Sequence, residues 1–247
     1  MKALYIAWQD PETKLWHTVG ELRKQNQFYC FSYTQGALAS PNFTFLGRMR
    51  DLYQHYISDT LFPLFANRVL SNSRPEYPNY VRWLALDPQT QPDAMQLLSR
   101  SGGFRATDDL CVYPSPEINE NDEIELFFFS HGLRYLAPEN LLQLNQLESG
   151  TPLSFDTEKD NTKDPFALNI KTNQLTKVGY CPRYLNQDFH KLLNKTEIKL
   201  SVERLNTDAP IQFRLLCRAA FKLPNGFQLF NNSEYLPLTK NANAIAA

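Results

Sequence analysis

Three short segments between Phe128 and Leu185 carry most of the information about the structure of the C-terminal half. They read FFSHGLRY at Phe128–Tyr135, LSFDTEKDNTKDPFALNI at Leu153–Ile170 and VGYCPRYL at Val178–Leu185. Each contains a short apolar run bordered by glycine, proline, asparagine or aspartate, the residues that favour turns. The pattern therefore predicts short strands joined by tight turns.

Around these segments, six strands and two helices are predicted. The strands are Ile124–Phe129, Thr151–Thr157, Phe166–Ile170, Lys177–Cys181, Ile198–Asn206 and Ile211–Phe221. The helices are Asn140–Leu147 and Asn186–Asn194; on the second, Leu185, Phe189, Leu192 and Leu193 share the buried side. Short strands with few helices favour a compact barrel of the oligonucleotide-binding kind.

The composition of the whole chain is that of a folded protein. Its 247 residues are 43% hydrophobic, with a formal net charge of −1, and they suffice for two domains of ordinary size. The charge is uneven: residues 126–227 carry 13 Lys and Arg against 10 Asp and Glu, and the remainder carries 12 against 16. This difference fits either a mildly basic binding half or random scatter.

The cysteines and histidines indicate no metal site. All four cysteines and all four histidines are scattered, without the close spacing that zinc ligands need. We therefore expect no metal and no cofactor. The N-terminal apolar stretch is too short for a signal peptide, and no run approaches the ~20 apolar residues of a membrane helix. These features predict a cytoplasmic, soluble protein without a membrane partner.

The N-terminal half is predicted to be a strand meander with two helices. The predicted strands are Leu4–Trp8, Trp16–Leu22, Phe28–Tyr33 and Leu110–Tyr113, with Phe43–Leu46 extended, and the helices are Tyr77–Leu86 and Asp93–Ser99. Asn67 and Arg68 interrupt an apolar run, so we expect specific partners for them. We interpret both as packing anchors rather than as a substrate site.

Four features of this half resemble the N-terminal subdomain of the HipA family. They are VGEL at Val19–Leu22, the aromatic strand Phe28–Tyr33, the box LFPLFANR at Leu61–Arg68, and Gly102-Gly103 followed by Thr107-Asp108. HipA proteins are kinases of toxin–antitoxin systems, but this chain has no kinase catalytic loop or phosphate loop. The resemblance therefore implies a fold and a protein- or DNA-contacting surface, and no kinase activity.

An acidic, proline-rich segment, Pro114–Glu123, marks the predicted boundary between two domains. The expected fold class is α+β, with two β-rich domains. We expect a HipA-like domain at residues 1–120, a second domain at 121–238, and a disordered tail at 239–247.

The second domain resembles the HIRAN family. The resemblance rests on Gly132–Tyr135 (GLRY), on Asn161–Ala167 (NTKDPFA) and on Val178–Arg183 (VGYCPR), whose order and spacing match over about 90 residues. It implies a six-stranded, OB-like HIRAN β-barrel with short helices that binds nucleic acid.

The resemblance also implies roles for individual residues. In the family member best known for end recognition, the barrel holds a single-stranded 3′ end. By analogy, Arg134 pairs with a phosphate, Tyr135 stacks on a base, and Asp164 accepts a hydrogen bond from the terminal 3′-hydroxyl. The turn residue Asn161 belongs to the same site. The remaining members of the predicted site are Tyr180 and Arg183, which line the groove, and Lys163, which replaces an aromatic residue of the family.

Each of these residues also has a purely structural interpretation. Arg134 is alternatively a solvated cation, and Tyr135 and Tyr180 are alternatively core or rim aromatics. Asn161 and Asp164 alternatively only shape their turn. Gly179 and His131, a strand-end histidine, are interpreted as structural.

Three functions remain open at this point. The first is a non-catalytic module that binds single-stranded DNA or DNA 3′ ends and recruits a helicase, a nuclease or a HipA-like kinase, as in DNA repair. The second is a protein-interaction subunit that regulates a HipA-like toxin–antitoxin system. The third is a hydrolase or nuclease, for which the sequence has neither a Walker motif nor a paired-carboxylate cluster.

Overall fold

The aromatic and β-branched runs near the N-terminus form the first sheet. The computed structural model describes residues 3–158, 160–162 and 164–239, and within these residues five strands join in the order β4-β3-β2-β1-β5, every neighbouring pair antiparallel. The strands are β1 (Ala3–Gln9), β2 (Trp16–Gln25), β3 (Phe28–Tyr33), β4 (Tyr56–Ser58) and β5 (Leu110–Pro114). The predicted meander is confirmed, whereas Phe43–Leu46 forms no strand and has only an isolated bridge from Leu46 to Met49.

Helices α1 (Pro63–Ala66) and α3 (Ala94–Ser101) accompany this sheet, and α2 (Tyr77–Trp83) lies between them along the chain. A capping box between Asp93 and Gln96 starts α3, and Gly102 ends it with a φ of 72°. The reciprocal cap satisfies two N–H groups that a helix start otherwise leaves without partners. Phe31, Phe65 and Leu98 are among the fully buried residues of the core.

Arg68 is a buried anchor, as its position in an apolar run predicts. Its Nη1 donates to the Gly103 carbonyl at 2.8 Å, and its Nη2 pairs with the Asp108 carboxylate. The side chain of Arg68 is 1% exposed, so the pair supplies the partner that a buried charge requires. Asn67, by contrast, is exposed, and the prediction of a buried Asn67 is wrong.

The second sheet forms from the segments quoted first. Across the described residues its six strands follow the order β6-β11-β10-β7-β8-β9, and all neighbours are antiparallel. The strands are β6 (Ile124–Phe129), β7 (Pro152–Thr157), β8 (Leu168–Thr172), β9 (Lys177–Tyr180), β10 (Lys199–Leu205) and β11 (Leu215–Phe221). The α+β class and the six-stranded C-terminal sheet are confirmed. Ile211–Phe213, predicted as the start of the last strand, is a 3-10 turn.

Helices α4 (Pro138–Leu144) and α5 (Arg183–Leu192) flank this sheet. Leu185, Phe189 and Leu192 are buried as their spacing predicts, while Leu193 is only half-buried. The Phe189 ring contacts the rings of Phe128, Phe155 and Phe221 at centroid distances of 5.1–6.3 Å. Helix α5 therefore closes the apolar interior of the curled sheet.

The contacts divide the described residues into two units. The first contains residues 3–78, 88–115 and 230–239, and the second contains 79–87 and 116–229. Residues 79–87 join the second unit because Tyr80 and Trp83 pack on the Phe213 ring, at 6.0 and 6.4 Å between centroids. The sequence-based domain limits, 1–120 and 121–238, stay predictions. Of the predicted tail at 239–247, residues 240–247 lie outside the described part of the chain.

Candidate nucleic-acid interface

A short bridge between His131 and Tyr180 joins the two edge strands of the second sheet. The His131 N–H donates to the Tyr180 carbonyl, and the Tyr180 N–H donates back to the His131 carbonyl, both at 2.9 Å. His131 follows β6 and Tyr180 ends β9, the first and last strands in the sheet order. The bridge therefore closes the curled sheet into a barrel, as predicted.

Close packing at this closure explains Gly179. Its φ is 127°, and a Cβ built there would lie 1.9 Å from Ser130 Oγ. Ser130 is buried, and its hydroxyl donates to the Val178 carbonyl at 2.9 Å. Only glycine fits both the backbone angle and the space, so the structural interpretation of Gly179 holds.

The Arg134–Tyr135 turn begins directly beyond the bridge. Gly132, with a φ of 74°, starts the 3-10 turn Leu133–Tyr135, and the buried Leu133 anchors it. Gly132 packs against the Tyr180 ring, since a Cβ on Gly132 would lie 2.8 Å from Tyr180 Cδ2. Arg134 is exposed, and Tyr135 is 80% exposed. The interpretation of Tyr135 as a core aromatic is therefore wrong.

Tyr180 belongs to a polar cluster. Its hydroxyl lies 2.9 Å from Glu158 Oε2 and 2.5 Å from Lys177 Nζ. Glu158 also accepts from Asn161 Nδ2 at 2.6 Å and from Lys177 Nζ at 3.1 Å. Burial raises the pKa of the Glu158 carboxyl, but the hydrogen bonds from Asn161, Lys177 and Tyr180 together outweigh burial and lower that pKa. Glu158 is therefore a carboxylate at neutral pH.

A β-bulge brings Lys177 and Tyr180 together. Gly179 pairs with Ile170, and Lys177 pairs with the next residue, Lys171, so Val178 is an extra residue in β9. A bulge bends its strand and redirects side chains. As a result Lys177 Nζ lies 3.8 Å from the centroid of the Tyr180 ring, close enough for a cation–π contact.

The turn around Asp164 is held from several sides. The Asp164 N–H donates to Asn161 Oδ1 at 3.0 Å, and Asp164 Oδ1 accepts from the Phe166 N–H at 3.0 Å. Asp164 Oδ2 accepts from Asn186 Nδ2 at 2.7 Å and lies 3.5 Å from Arg183 Nε. Asn161 and Asp164 therefore do shape their turn, and Asp164 also connects the turn to helix α5.

The structure connects most of the predicted site. Asn161 hydrogen-bonds both to Asp164 and, through Glu158, to Tyr180, while Asp164 pairs with Arg183. The turn that carries Arg134 and Tyr135 meets this network where Gly132 packs on the Tyr180 ring. Lys163 lies outside the described residues.

Three residues of this network were not predicted: Glu158, Lys177 and Asn186. No pattern in the sequence indicated a role for Glu158, and Lys177 was placed only at the start of a predicted strand. Asn186 is 3% exposed on the buried side of α5. A buried polar group needs a hydrogen-bond partner, so an asparagine on the apolar side of a helix was the available signal.

The residues around the barrel closure combine cations with carboxylates, and His131 adds no charge to them. Burial lowers the pKa of His131 to about 4, so its imidazole is neutral at pH 7. Arg134, Lys177 and Arg183 supply cations, with Glu158 and Asp164 as the carboxylates of the network. Within the described residues, no group of three or more His, Cys, Asp or Glu is placed to hold a metal ion.

Comparisons with known proteins match a family over part of the second unit. Residues 124–223 match the family model described as the HIRAN domain, which is less than half of the chain. A solved structure of a Lactobacillus plantarum protein is 24% identical, covers 40% of this chain and 95% of its own, and has a TM-score of 0.34. The HIRAN domain of human HLTF is 14% identical, covers 42% of this chain and 81% of its own, and has a TM-score of 0.32. No curated protein matches this chain.

The HIRAN resemblance is thus confirmed for residues 124–223, whereas the HipA resemblance of the N-terminal half stays a prediction. Among the helices that the structure describes, none combines the length and apolar character needed to cross a membrane.

Proposed function

We propose that residues 124–223, a HIRAN domain and hence a nucleic-acid-binding domain, bind the 3′ end of single-stranded DNA without cleaving it. The observation that carries the proposal is the His131–Tyr180 bridge. It brings an exposed cation and ring, Arg134 and Tyr135, next to a network that ends in the Asp164 carboxylate.

Arg134 and Tyr135 supply the affinity. An exposed aromatic ring stacks on any base, and each such contact contributes about 1–3 kcal/mol. The Arg134 guanidinium lies 6.0 Å from the centroid of the Tyr135 ring. A base on the ring therefore places its phosphate within reach of the guanidinium, which binds phosphate oxygens through paired N–H groups.

Asp164 supplies the selectivity for an end. A carboxylate repels a phosphate but accepts a hydrogen bond from a terminal hydroxyl, and its two oxygens accept about four hydrogen bonds in all. Its side chain is 16% exposed, and the Arg183 guanidinium partly balances its charge. Tyr180 and Arg183 line the groove. Asn161 stabilises the turn that contains Asp164. Lys163 adds a cation at a position where the family has an aromatic residue.

The first test is fluorescence anisotropy with 5′-labelled single-stranded oligonucleotides at low salt. We expect Arg134→Ala and Tyr135→Ala each to weaken binding about 5-fold or more, because one stacking contact is worth at least about 1 kcal/mol. Arg204→Ala removes an exposed cation elsewhere in the same unit and is the charge-matched control. Equal losses for Arg134→Ala and Arg204→Ala, or no binding by the wild type, would overturn the proposal.

The second test compares 3′-hydroxyl with 3′-phosphate oligonucleotides. The wild type is expected to prefer the free hydroxyl, since Asp164 repels a terminal phosphate. Asp164→Asn keeps a side chain that can shape the turn but removes the charge, so the preference should shrink while binding persists. An unchanged preference in Asp164→Asn would exclude the assigned role.

A non-catalytic binder acts through a partner, and the proposal includes a helicase, a nuclease or a HipA-like kinase in that role. The purified chain should therefore leave oligonucleotides intact in the presence of Mg²⁺. Cleavage that copurifies with the chain and disappears in Arg134→Ala would favour the hydrolase interpretation instead.

A further inference from the structure

A loop of the first unit displays arginines and rings in a fixed geometry, and we call residues 45–53 the basic–aromatic loop. The hydroxyl of Tyr33, which is fully buried, stabilises the first turn through two hydrogen bonds. The Leu46 N–H donates to the Tyr33 hydroxyl at 2.5 Å, and that hydroxyl donates to the Met49 carbonyl at 2.6 Å. Leu46 and Met49 are buried, so the turn is fixed by both its backbone and its apolar side chains.

A second tyrosine fixes the next turn in the same way. The Asp51 N–H donates to the Tyr56 hydroxyl at 2.7 Å, and the hydroxyl donates to the Asp51 carbonyl at 3.0 Å. The Asp51 carboxylate accepts the Tyr53 N–H at 2.9 Å. Burial raises the pKa of Tyr33 to about 12, so its hydroxyl remains a donor at any physiological pH.

The side chains exposed on the outside of this loop are two cations, two rings and the Asp51 carboxylate. Arg48 and Arg50 are exposed, Phe45 is 42% exposed and Tyr53 is 63% exposed. The Arg50 guanidinium lies 5.8 Å from the centroid of the Phe45 ring. Large rings on a rigid loop lose little conformational freedom when a ligand covers them.

The local charge and the exposed rings favour an anionic ligand with flat groups. Between Phe45 and Ser58 the two arginines face one carboxylate, Asp51, which already accepts a backbone N–H. His55 adds no positive charge, because burial lowers its pKa and its Nδ1 bonds Ser32 Oγ at 2.5 Å. The next acidic residue is the exposed Asp59, beyond β4.

We propose that the basic–aromatic loop is a second binding surface for single-stranded nucleic acid, separate from the HIRAN domain. Arg48 and Arg50 contact successive phosphates, and Phe45 and Tyr53 stack on bases. Stacking platforms beside cations are the general means of holding a single strand without reading its sequence, and guanidinium groups suit phosphate geometry better than ammonium groups. No terminal hydroxyl is involved, so this surface binds the interior of a strand.

The experiment uses the full chain with Arg134→Ala and Tyr135→Ala introduced, so that the proposed end site is disabled. The probe is a 3′-phosphate oligonucleotide of roughly 30 nucleotides, longer than a single site of about 4–16 nucleotides. Adding Arg48→Ala with Arg50→Ala should weaken binding about 10-fold or more. It should also reduce the salt dependence of log K by about 1.4, since each lost phosphate contact on a single strand contributes about 0.7.

The control variant, Arg74→Ala with Arg105→Ala, removes two exposed arginines of the same unit and changes the net charge equally. Tyr53→Leu keeps an apolar side chain and removes the ring, so it should weaken binding about 5-fold or more. Equal effects of the two arginine pairs, or an unchanged affinity in Tyr53→Leu, would overturn the proposal. So would a preference of the loop for a protein partner over the oligonucleotide.

Binding by the basic–aromatic loop and binding of a 3′ end can be tested separately. A probe of about 5 nucleotides with a free 3′-hydroxyl reports on the HIRAN site, because it is near the lower limit for one site. Its affinity should depend on Arg134 and not on Arg48 or Arg50. If the long probe binds through Arg48 and Arg50 while the short probe ignores Arg134, the end site fails and the loop stands.

Discussion

His131 and Tyr180 exchange two backbone hydrogen bonds of 2.9 Å, and this pair closes the curled six-stranded sheet. The closure is narrow because Gly132, the residue after His131, lies against the Tyr180 ring. The same contact brings the Arg134–Tyr135 turn to the polar cluster of Glu158, Asn161 and Lys177. The barrel closure and the candidate interface are therefore one structural feature.

Gly179→Ala should destabilise the HIRAN domain by about 3 kcal/mol or more. A positive φ costs a non-glycine residue about 1–2 kcal/mol, and forcing a Cβ to within 1.9 Å of Ser130 Oγ adds an overpacking cost of about 1–3 kcal/mol. Urea unfolding followed by circular dichroism measures the loss. Gly150→Ala is the control, since Gly150 has a φ of 83° but no atom within 4 Å of a built Cβ. Equal losses would show that space at the closure does not matter.

Glu158→Gln should weaken the domain by about 1–2 kcal/mol at pH 7, because hydrogen bonds to a charged acceptor are lost. The pKa of Glu158 is lowered in the folded state, so its stabilising contribution is present above the unfolded pKa of about 4.3 and is lost as the pH falls through the lower folded value. Thermal melts from pH 7 down to about pH 3 should therefore be less pH-dependent in Glu158→Gln. The exposed Glu148→Gln should keep the wild-type profile, and a matching profile for both variants would contradict the prediction.

Asp108→Ala should destabilise the first unit by about 3 kcal/mol, because it leaves the buried Arg68 guanidinium without its carboxylate. Asp109→Ala, at the exposed neighbouring position, should change stability by no more than about 0.5 kcal/mol. Chemical denaturation of the wild type and the two variants measures the change in the free energy of unfolding. A loss of the same size in both would mean that the Arg68 pair contributes little.

Leu175→Asn should raise stability by about 1 kcal/mol. Leu175 has a φ of 61° at the hairpin between β8 and β9, and its side chain is 74% exposed. Asparagine tolerates this left-handed conformation better than leucine, and little buried apolar area is lost. The neighbouring exchange Gln174→Asn, at a position without a positive φ, should give no gain in the same melting experiment. A decrease for Leu175→Asn would indicate that the leucine is held by contacts.

Local signals were enough for most of the strands and for the buried side of α5. Phe28–Tyr33 and Ile124–Phe129 form strands with the predicted bounds, because their aromatic and apolar runs are bordered by turn residues. Phe43–Leu46 looked extended for the same reason, yet its backbone turns to reach the Tyr33 hydroxyl. A long-range hydrogen bond of that kind leaves no trace in a short window of sequence.

The candidate site was predictable only in part. Arg134, Tyr135, Asp164, Tyr180 and Arg183 follow from an ordered set of motifs that resembles a family. Glu158 and Lys177 were not predicted as site residues, because their contacts depend on the bulge at Val178. A bulge adds one residue to one strand, and only pairing with the neighbouring strand reveals it.

The α+β class, the order of the strands along the chain and the HIRAN motifs can be read from the residues alone, because turn residues and side-chain periodicity act over a few neighbouring positions. Which of those motifs meet depends on contacts between distant parts of the chain. His131 and Tyr180 are far apart along the chain, and Asp164 finds Asn186 only when α5 packs across the barrel. Such contacts depend on the curl of the whole sheet, to which every strand contributes.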